Sequence, residues 1–192
     1  WLFIGSFQHS PNIDAVLFFA HQIFPLVTPR LRDAKFYIIG DNAPPQIVAL
    51  ANEKIIVTGL QRDARPFFDS VKLSVAPLRF GAGVKGKINQ SMAFGVPVVA
   101  TSIAVDGTGL RDGEEILVAD EPQDFAEALI ELYQSEELWT RLSENGIRKT
   151  RALYSVEVAC ETLKFLFSED RLKDRLRSSE VPQKEIMLAA KI

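Results

Sequence analysis

Short apolar runs that do not alternate in polarity recur along this chain: Phe36-Tyr37-Ile38-Ile39, Ile55-Ile56-Val57 and Val98-Val99-Ala100. A strand with one face in water alternates apolar and polar residues. An unbroken apolar run belongs to a strand covered on both faces, as inside a parallel sheet flanked by helices. Strands are expected at 2–5, 35–39, 54–58, 71–76, 96–100 and 115–118. Between them apolar residues return at helical spacing, most clearly over 11–27, where Ile13, Val16, Leu17, Ala20, Ile23 and Phe24 share one face. Further helices are expected at 44–51, at 64–69 with Asp63 as cap, and at 85–94, 124–134, 137–151 and 156–167. This alternation specifies an α/β fold, a Rossmann-like doubly wound parallel sheet of about six strands with right-handed crossovers.

One such domain is expected over residues 1–167, followed at 168–192 by a charged tail, helical or partly disordered. The net charge of −3 gives no overall positive field, so nucleic acid is not an expected partner and any polyanion must bind locally. The single cysteine, Cys160, excludes a disulfide within the chain, and it fits a reducing, cytoplasmic setting. With only His9 and His21 beside it, no metal site is expected. No apolar run reaches the length of a membrane-spanning helix. The sequence opens on Trp1-Leu2-Phe3-Ile4-Gly5, already a strand running into a turn, so an N-terminal portion is expected to precede it.

Ligands of open parallel sheets collect at the carboxyl ends of the strands, near the point where strand order reverses. The segments placed there are Gly5-Ser6, Gly40-Asp41, Gly59-Leu60-Gln61, the loop 79–87, Thr101-Ser102 and 106–109. The strongest of them is Arg79-Phe80-Gly81-Ala82-Gly83-Val84-Lys85-Gly86-Lys87, which follows a strand and opens a helix. Unbonded N–H groups and the positive dipole end of a helix start stabilise an anion there. Arg79, Lys85 and Lys87 add three cations, and no carboxylate interrupts them. A diphosphate suits such a nest, and the plainer alternative is a solvated basic turn. The glycines match neither the dinucleotide fingerprint nor a P-loop. Asp106, Asp112 and His9 lie near the proposed site but read more simply as turn or surface residues, and Glu114 and Glu115 as a solvated turn and strand edge.

The stretch Gly81–Thr101, GAGVKGKINQSMAFGVPVVAT, resembles the signature of the retaining family-4 (group 1) glycosyltransferases of the GT-B architecture. Leu2-Phe3-Ile4-Gly5-Ser6 with Pro11-Asn12, Phe36-Tyr37-Ile38-Ile39-Gly40, Val57-Thr58-Gly59, and Gly109-Leu110 with Glu115-Ile116-Leu117-Val118 agree in order and spacing. The resemblance spans residues 1–167 and implies the C-terminal, donor-binding domain of a hexosyltransferase. Such an enzyme transfers a sugar from a nucleotide diphosphate sugar to a glycan, lipid or other acceptor. It needs no cofactor and no divalent metal. The acceptor domain would be the missing N-terminal half, and without it this fragment is expected to be inactive. Peripheral membrane association at the inner face would be carried by that half.

The resemblance also implies roles. Gly5 and Ser6 line the diphosphate, Arg79, Lys85 and Lys87 are its cations, and Gly81, Ala82, Gly83 and Val84 form the loop that offers it N–H groups. Leu60 and Gln61 border the base, and Gln90 reaches the ribose. No catalytic residue is assigned. The chain departs from the pattern where many members carry two glutamates, at Ala82 and Gln90. That departure sets two alternatives beside the transferase: a catalytically degenerate domain that binds a nucleotide sugar or a protein, and a nucleotide-sugar epimerase of the same architecture.

Overall fold

The computed structural model describes residues 1–83 and 85–167, apart from the Leu166 side chain. The charged tail expected at 168–192 lies outside the described residues. The chain divides into two compact units at Arg151/Ala152. The first holds β1 (Leu2–Ile4), α1 (Ser10–Phe18), α2 (Phe24–Val27), β2 (Phe36–Ile39), α3 (Pro45–Val48), β3 (Ile55–Gly59), α4 (Arg65–Ser70), β4 (Ser74–Ala76), α5 (Gly86–Ala93), β5 (Val98–Ala100), α6 (Ser102–Val105), β6 (Leu117–Val118), α7 (Pro122–Gln134) and the greater part of α8 (Glu136–Tyr154). The second is described as far as α9 (Val156–Leu166) and Phe167. On α9 Leu163 is exposed, as is Phe167 beyond it. No helix among the described residues is long and apolar enough to cross a membrane.

The six strands form one parallel sheet in the order β3-β2-β1-β4-β5-β6. This is the doubly wound order, and its reversal point lies between β1 and β4. Strand alternation divides the core. Phe3, Phe36, Ile38, Val75 and Val99 belong to the larger cluster with α1 and α7 residues, and Leu2, Ile39, Phe68, Val71 and Val96 to the smaller one. β5 is buried throughout, as its apolar run requires. β3 is not: only Ile55 is buried, because β3 is an edge strand and the later residues of its run are half-covered.

The long first helix is interrupted at Phe19–Ile23, where five residues form a π-turn. Pro25 explains it. Proline lacks the N–H that would bond the His21 carbonyl, and its ring crowds that turn. The backbone widens instead, with the Phe24 N–H donating to the Phe19 carbonyl. Phe19, Ile23 and Phe24 all remain buried, and Phe19 meets Phe36 with ring centroids 4.5 Å apart. Asp63 does not occupy the cap position of α4, which falls on Ala64; its carboxylate binds the backbone and guanidinium of Arg65 instead. Sequence periodicity also missed α6, a single turn capped by Thr101.

Gly40, after β2, packs against the β1 loop so tightly that a Cβ there would sit 2.1 Å from the Gly5 carbonyl oxygen. At Gly86, in the first turn of α5, a Cβ would meet nothing within 4 Å. Gly40→Ala should therefore lower unfolding stability by about 2 kcal/mol or more, as overpacking of a rigid backbone contact does. Gly86→Ala should be neutral or slightly stabilising, since alanine is the better helix former. Urea denaturation of the two variants checks the contrast, and equal effects would contradict it.

Candidate functional site

The loops after β1 and β4 meet at the carboxyl side of the reversal point. The β1 loop leads into α1, whose N-cap is His9 and whose first turn holds Pro11 and Asn12. The β4 loop leads into α5 with Lys85 at the N-cap. Between them lies a cavity of about 290 Å³, walled by His9, Pro11 and Asn12 on one side and by Leu78, Phe80, Gly81, Ala82, Lys85, Gly86 and Lys87 on the other. The backbone turns at Gly81 and Gly83 with φ of 127° and 84°, conformations that disfavour any side chain.

The three cations of the loop are held in three different ways. Arg79 is bound to the Asp14 carboxylate, with Nε donating to Oδ2 at 2.9 Å, and its guanidinium lies 4.7 Å over the Phe18 ring. The loop sequence carries no carboxylate, but the fold brings one from α1. Arg79 does not wall the cavity; it borders a shallow depression with Phe80, Gly81, Ser102, Ile103 and Asp106. Lys85 is buried, and its ammonium donates to the carbonyls of Gly81 at 3.3 Å and Gly83 at 3.0 Å, clasping its own loop. Lys87 reaches across the cavity to donate to Oδ1 of Asn12, with its Nζ 4.4 Å over the Phe3 ring. Burial, and then the charge of Lys85, lower its pKa to about 8.

The other residues singled out from the sequence are spread more widely. Asn12 joins the first loop to the cavity, its Nδ2 donating to the Ser6 carbonyl at 2.6 Å, and a Cβ at Gly5 would lie 2.8 Å from that same nitrogen. Ala82 is exposed in the cavity wall, and Gln90 is exposed on α5. Leu60 is exposed and Gln61 Nε2 donates to the Thr58 carbonyl; both follow β3, at the sheet edge and away from this cavity. Val84 lies outside the described residues. Asp112 shapes a turn by accepting from the Val118 N–H. Glu115 is not a solvated edge: it is buried, accepts from the Arg111 N–H, and lies within ion-pair distance of Arg111 and Lys149.

Asn12 is a residue of this cavity that the sequence alone does not single out, although Pro11-Asn12 belongs to the resemblance. The available signal is an amide that follows proline in the first turn of α1. No group of three or more His, Cys, Asp or Glu that could hold a metal occurs among the described residues.

A cavity flanked by an ammonium and the positive end of an eight-residue helix is suited to an anion. The family model of the glycosyl transferases group 1 matches residues 1–135. The chain belongs to the group 1 glycosyltransferases. It is 27% identical over 139 residues to an uncharacterized 44.6 kDa protein in the cps region of Klebsiella pneumoniae, a match covering 67% of this chain and 36% of that protein. The chain therefore spans about a third of that relative's length. Among solved structures, a mutant of S. aureus TarM in complex with Fondaparinux, alpha-GlcNAc-glycerol and UDP superposes with a TM-score of 0.70 at 20% identity, over 88% of this chain and 35% of that one. The C-terminal domain of LpcC, a glycosyl transferase group 1 family protein from Francisella tularensis, gives 0.63 at 16% identity, over 81% of this chain and 85% of that one. These structures share the fold of this group 1 glycosyltransferase domain.

The lowered pKa of Lys87 has a measurable consequence for the domain. Between about 8 and its ordinary value of 10.5 the folded state binds fewer protons at this group than the unfolded state. Its contribution to stability therefore rises with pH across that window, and the penalty for burying the charge is felt in full below it. Lys87→Met should gain most over the wild type near pH 7, and the difference should narrow by pH 10. Urea denaturation of both proteins at the two pH values reads this, and parallel pH profiles would contradict the assignment.

Proposed function

We propose that this domain binds the donor of a retaining glycosyltransferase, a nucleotide diphosphate sugar, with its diphosphate in the cavity between α1 and the 79–87 loop. The observation that carries this reading is the Lys87 ammonium, held by a neutral amide in a cavity at the reversal point of the sheet and beside the start of α5. Family membership and the UDP in the TarM complex support it.

In this reading the bond from the anomeric carbon to the diphosphate oxygen breaks, and negative charge grows on the leaving nucleoside diphosphate. Lys87 and the α5 N-terminus stabilise that charge without a divalent metal. Lys85 acts indirectly, by holding the Gly81 and Gly83 carbonyls. Gly5 and Ser6 border the diphosphate through Asn12, Gln90 is assigned to the ribose, and Leu60-Gln61 to the base. A second domain supplies the acceptor, on the cytoplasmic side of the membrane, in keeping with the greater length of the Klebsiella relative.

Calorimetry with UDP, GDP and ADP, with and without a chelator, tests the reading. One of the three should bind, unaffected by the chelator. Lys87→Ala should weaken it about tenfold or more, the scale of a lost charge-assisted hydrogen bond, and Arg79→Ala should weaken it less. No binding by any of the three at millimolar concentration would defeat the proposal.

A second reading is favoured by Ala82, which sits in the cavity wall where many members of the resembled family carry a carboxylate. In that reading the domain binds a nucleotide sugar without supporting transfer. A single turnover by the full-length protein with any donor excludes it.

A further inference from the structure

We infer that Asn12 is a positioning residue for the diphosphate: its neutral amide holds the Lys87 ammonium in the cavity without neutralising it, and locks the β1 loop against the same site. The inference rests on the reading of this cavity as a diphosphate site.

The contrast with Arg79 carries the argument. Arg79 is held by a carboxylate, so its charge is already compensated by Asp14. Lys85 is held by carbonyls of its own loop. Lys87 is held by a side chain from the opposite wall, and that acceptor is an uncharged amide. An ammonium has three donors, so one can rest on Asn12 while the others turn to phosphate oxygens.

The orientation of the amide is fixed from both sides. Its Nδ2 faces the Ser6 carbonyl, an acceptor, and its Oδ1 faces the Lys87 ammonium, a donor. A flipped amide would put NH₂ against ammonium and oxygen against carbonyl, both repulsive. Asn12 is only 8% exposed, and Gly5 leaves no room for a side chain against it. Aspartate is close to asparagine in shape but fails twice at this position: it has no N–H for the Ser6 carbonyl, and its charge would pair with Lys87 and compete with the diphosphate. The charged or titratable groups that wall the cavity with Lys87 are Lys85 in its own loop and His9 on the α1 side, while the Asp14–Arg79 pair is not part of that wall.

The test uses full-length protein and inorganic pyrophosphate, which carries the shared chemistry without a base. Calorimetry at pH 7 measures affinity, and the side-chain resonance of Lys87 in ¹³C-lysine-labelled protein measures its titration. Asn12→Asp should lower pyrophosphate affinity about tenfold and move the Lys87 midpoint upward from about 8. Asn12→Ser, which keeps a neutral oxygen, should lose less affinity and show no such rise. An aspartate variant that binds as tightly as the wild type, or leaves the midpoint where it was, would overturn the inference. If that variant does not fold, unchanged affinity and an unchanged Lys87 resonance in Asn12→Ser overturn it instead. Failure of the wild type to bind pyrophosphate is a different result: it removes the diphosphate reading itself, and the role of Asn12 with it.

Discussion

The seam between β1 and β4 is the narrowest join in the sheet, and the site stands directly on it. The two strands register a single residue pair, Leu2 with Ser74. The Leu2 N–H donates to the Leu73 carbonyl at 3.1 Å, and the Ser74 hydroxyl donates to the Leu2 carbonyl at 3.0 Å. Ser91 of α5 places its hydroxyl 2.9 Å from both the Ser74 hydroxyl and the Lys87 carbonyl. All three elements are thus joined through buried hydroxyls. A buried hydroxyl deprived of its partner costs about 1–3 kcal/mol, so this chain of contacts resists sliding of α5 along the sheet. The first turn of α5, and with it Lys87, is referenced to the seam rather than to the preceding loop alone.

That anchoring matters because positive charge near an anion site is useful only if it is both fixed and uncompensated. A long cation left in water is neither fixed nor strong, since solvent screens it. One tied to a carboxylate is fixed but compensated. The fold divides these properties among Arg79, Lys85 and Lys87, spending the first on Asp14 and the second on loop carbonyls. Of the three, Lys87 alone rests on a neutral side chain from the opposite wall, and burial together with the Lys85 charge lowers its pKa to about 8.

Most of the fold was legible in the sequence because the cues are local. Apolar runs, their terminating glycines and helical spacing each involve a few neighbouring residues, and the doubly wound order then follows from the rules for parallel sheets. The features that escaped depend on distance. Asp14 meets Arg79 across 65 residues and Asn12 meets Lys87 across 75, and no spacing rule reports such pairs. The half-exposure of β3 depends on strand order, because the same apolar run would be buried in the centre and is half-covered at an edge. The π-turn at Phe19–Ile23 had a local cause in Pro25, yet helical periodicity alone reads through it, since the core-facing residues stay on the core side.

In the proposed reading, a chain of net negative charge builds a site for an anion from this loop. Backbone carbonyls are as numerous as N–H groups, and those facing an anion repel it. In a trans peptide the carbonyl and the N–H point in opposite directions. Drawing the Gly81 carbonyl onto the Lys85 ammonium therefore turns the N–H of the same peptide, that of Ala82, away from Lys85. The positive φ at both glycines makes that turn accessible without strain. In that reading Lys85 occupies carbonyls that would oppose an anion, and Lys87 offers charge to it. The two lysines look alike in the sequence and have different tasks, which is why their substitution should not be equivalent even where the loss of affinity is similar.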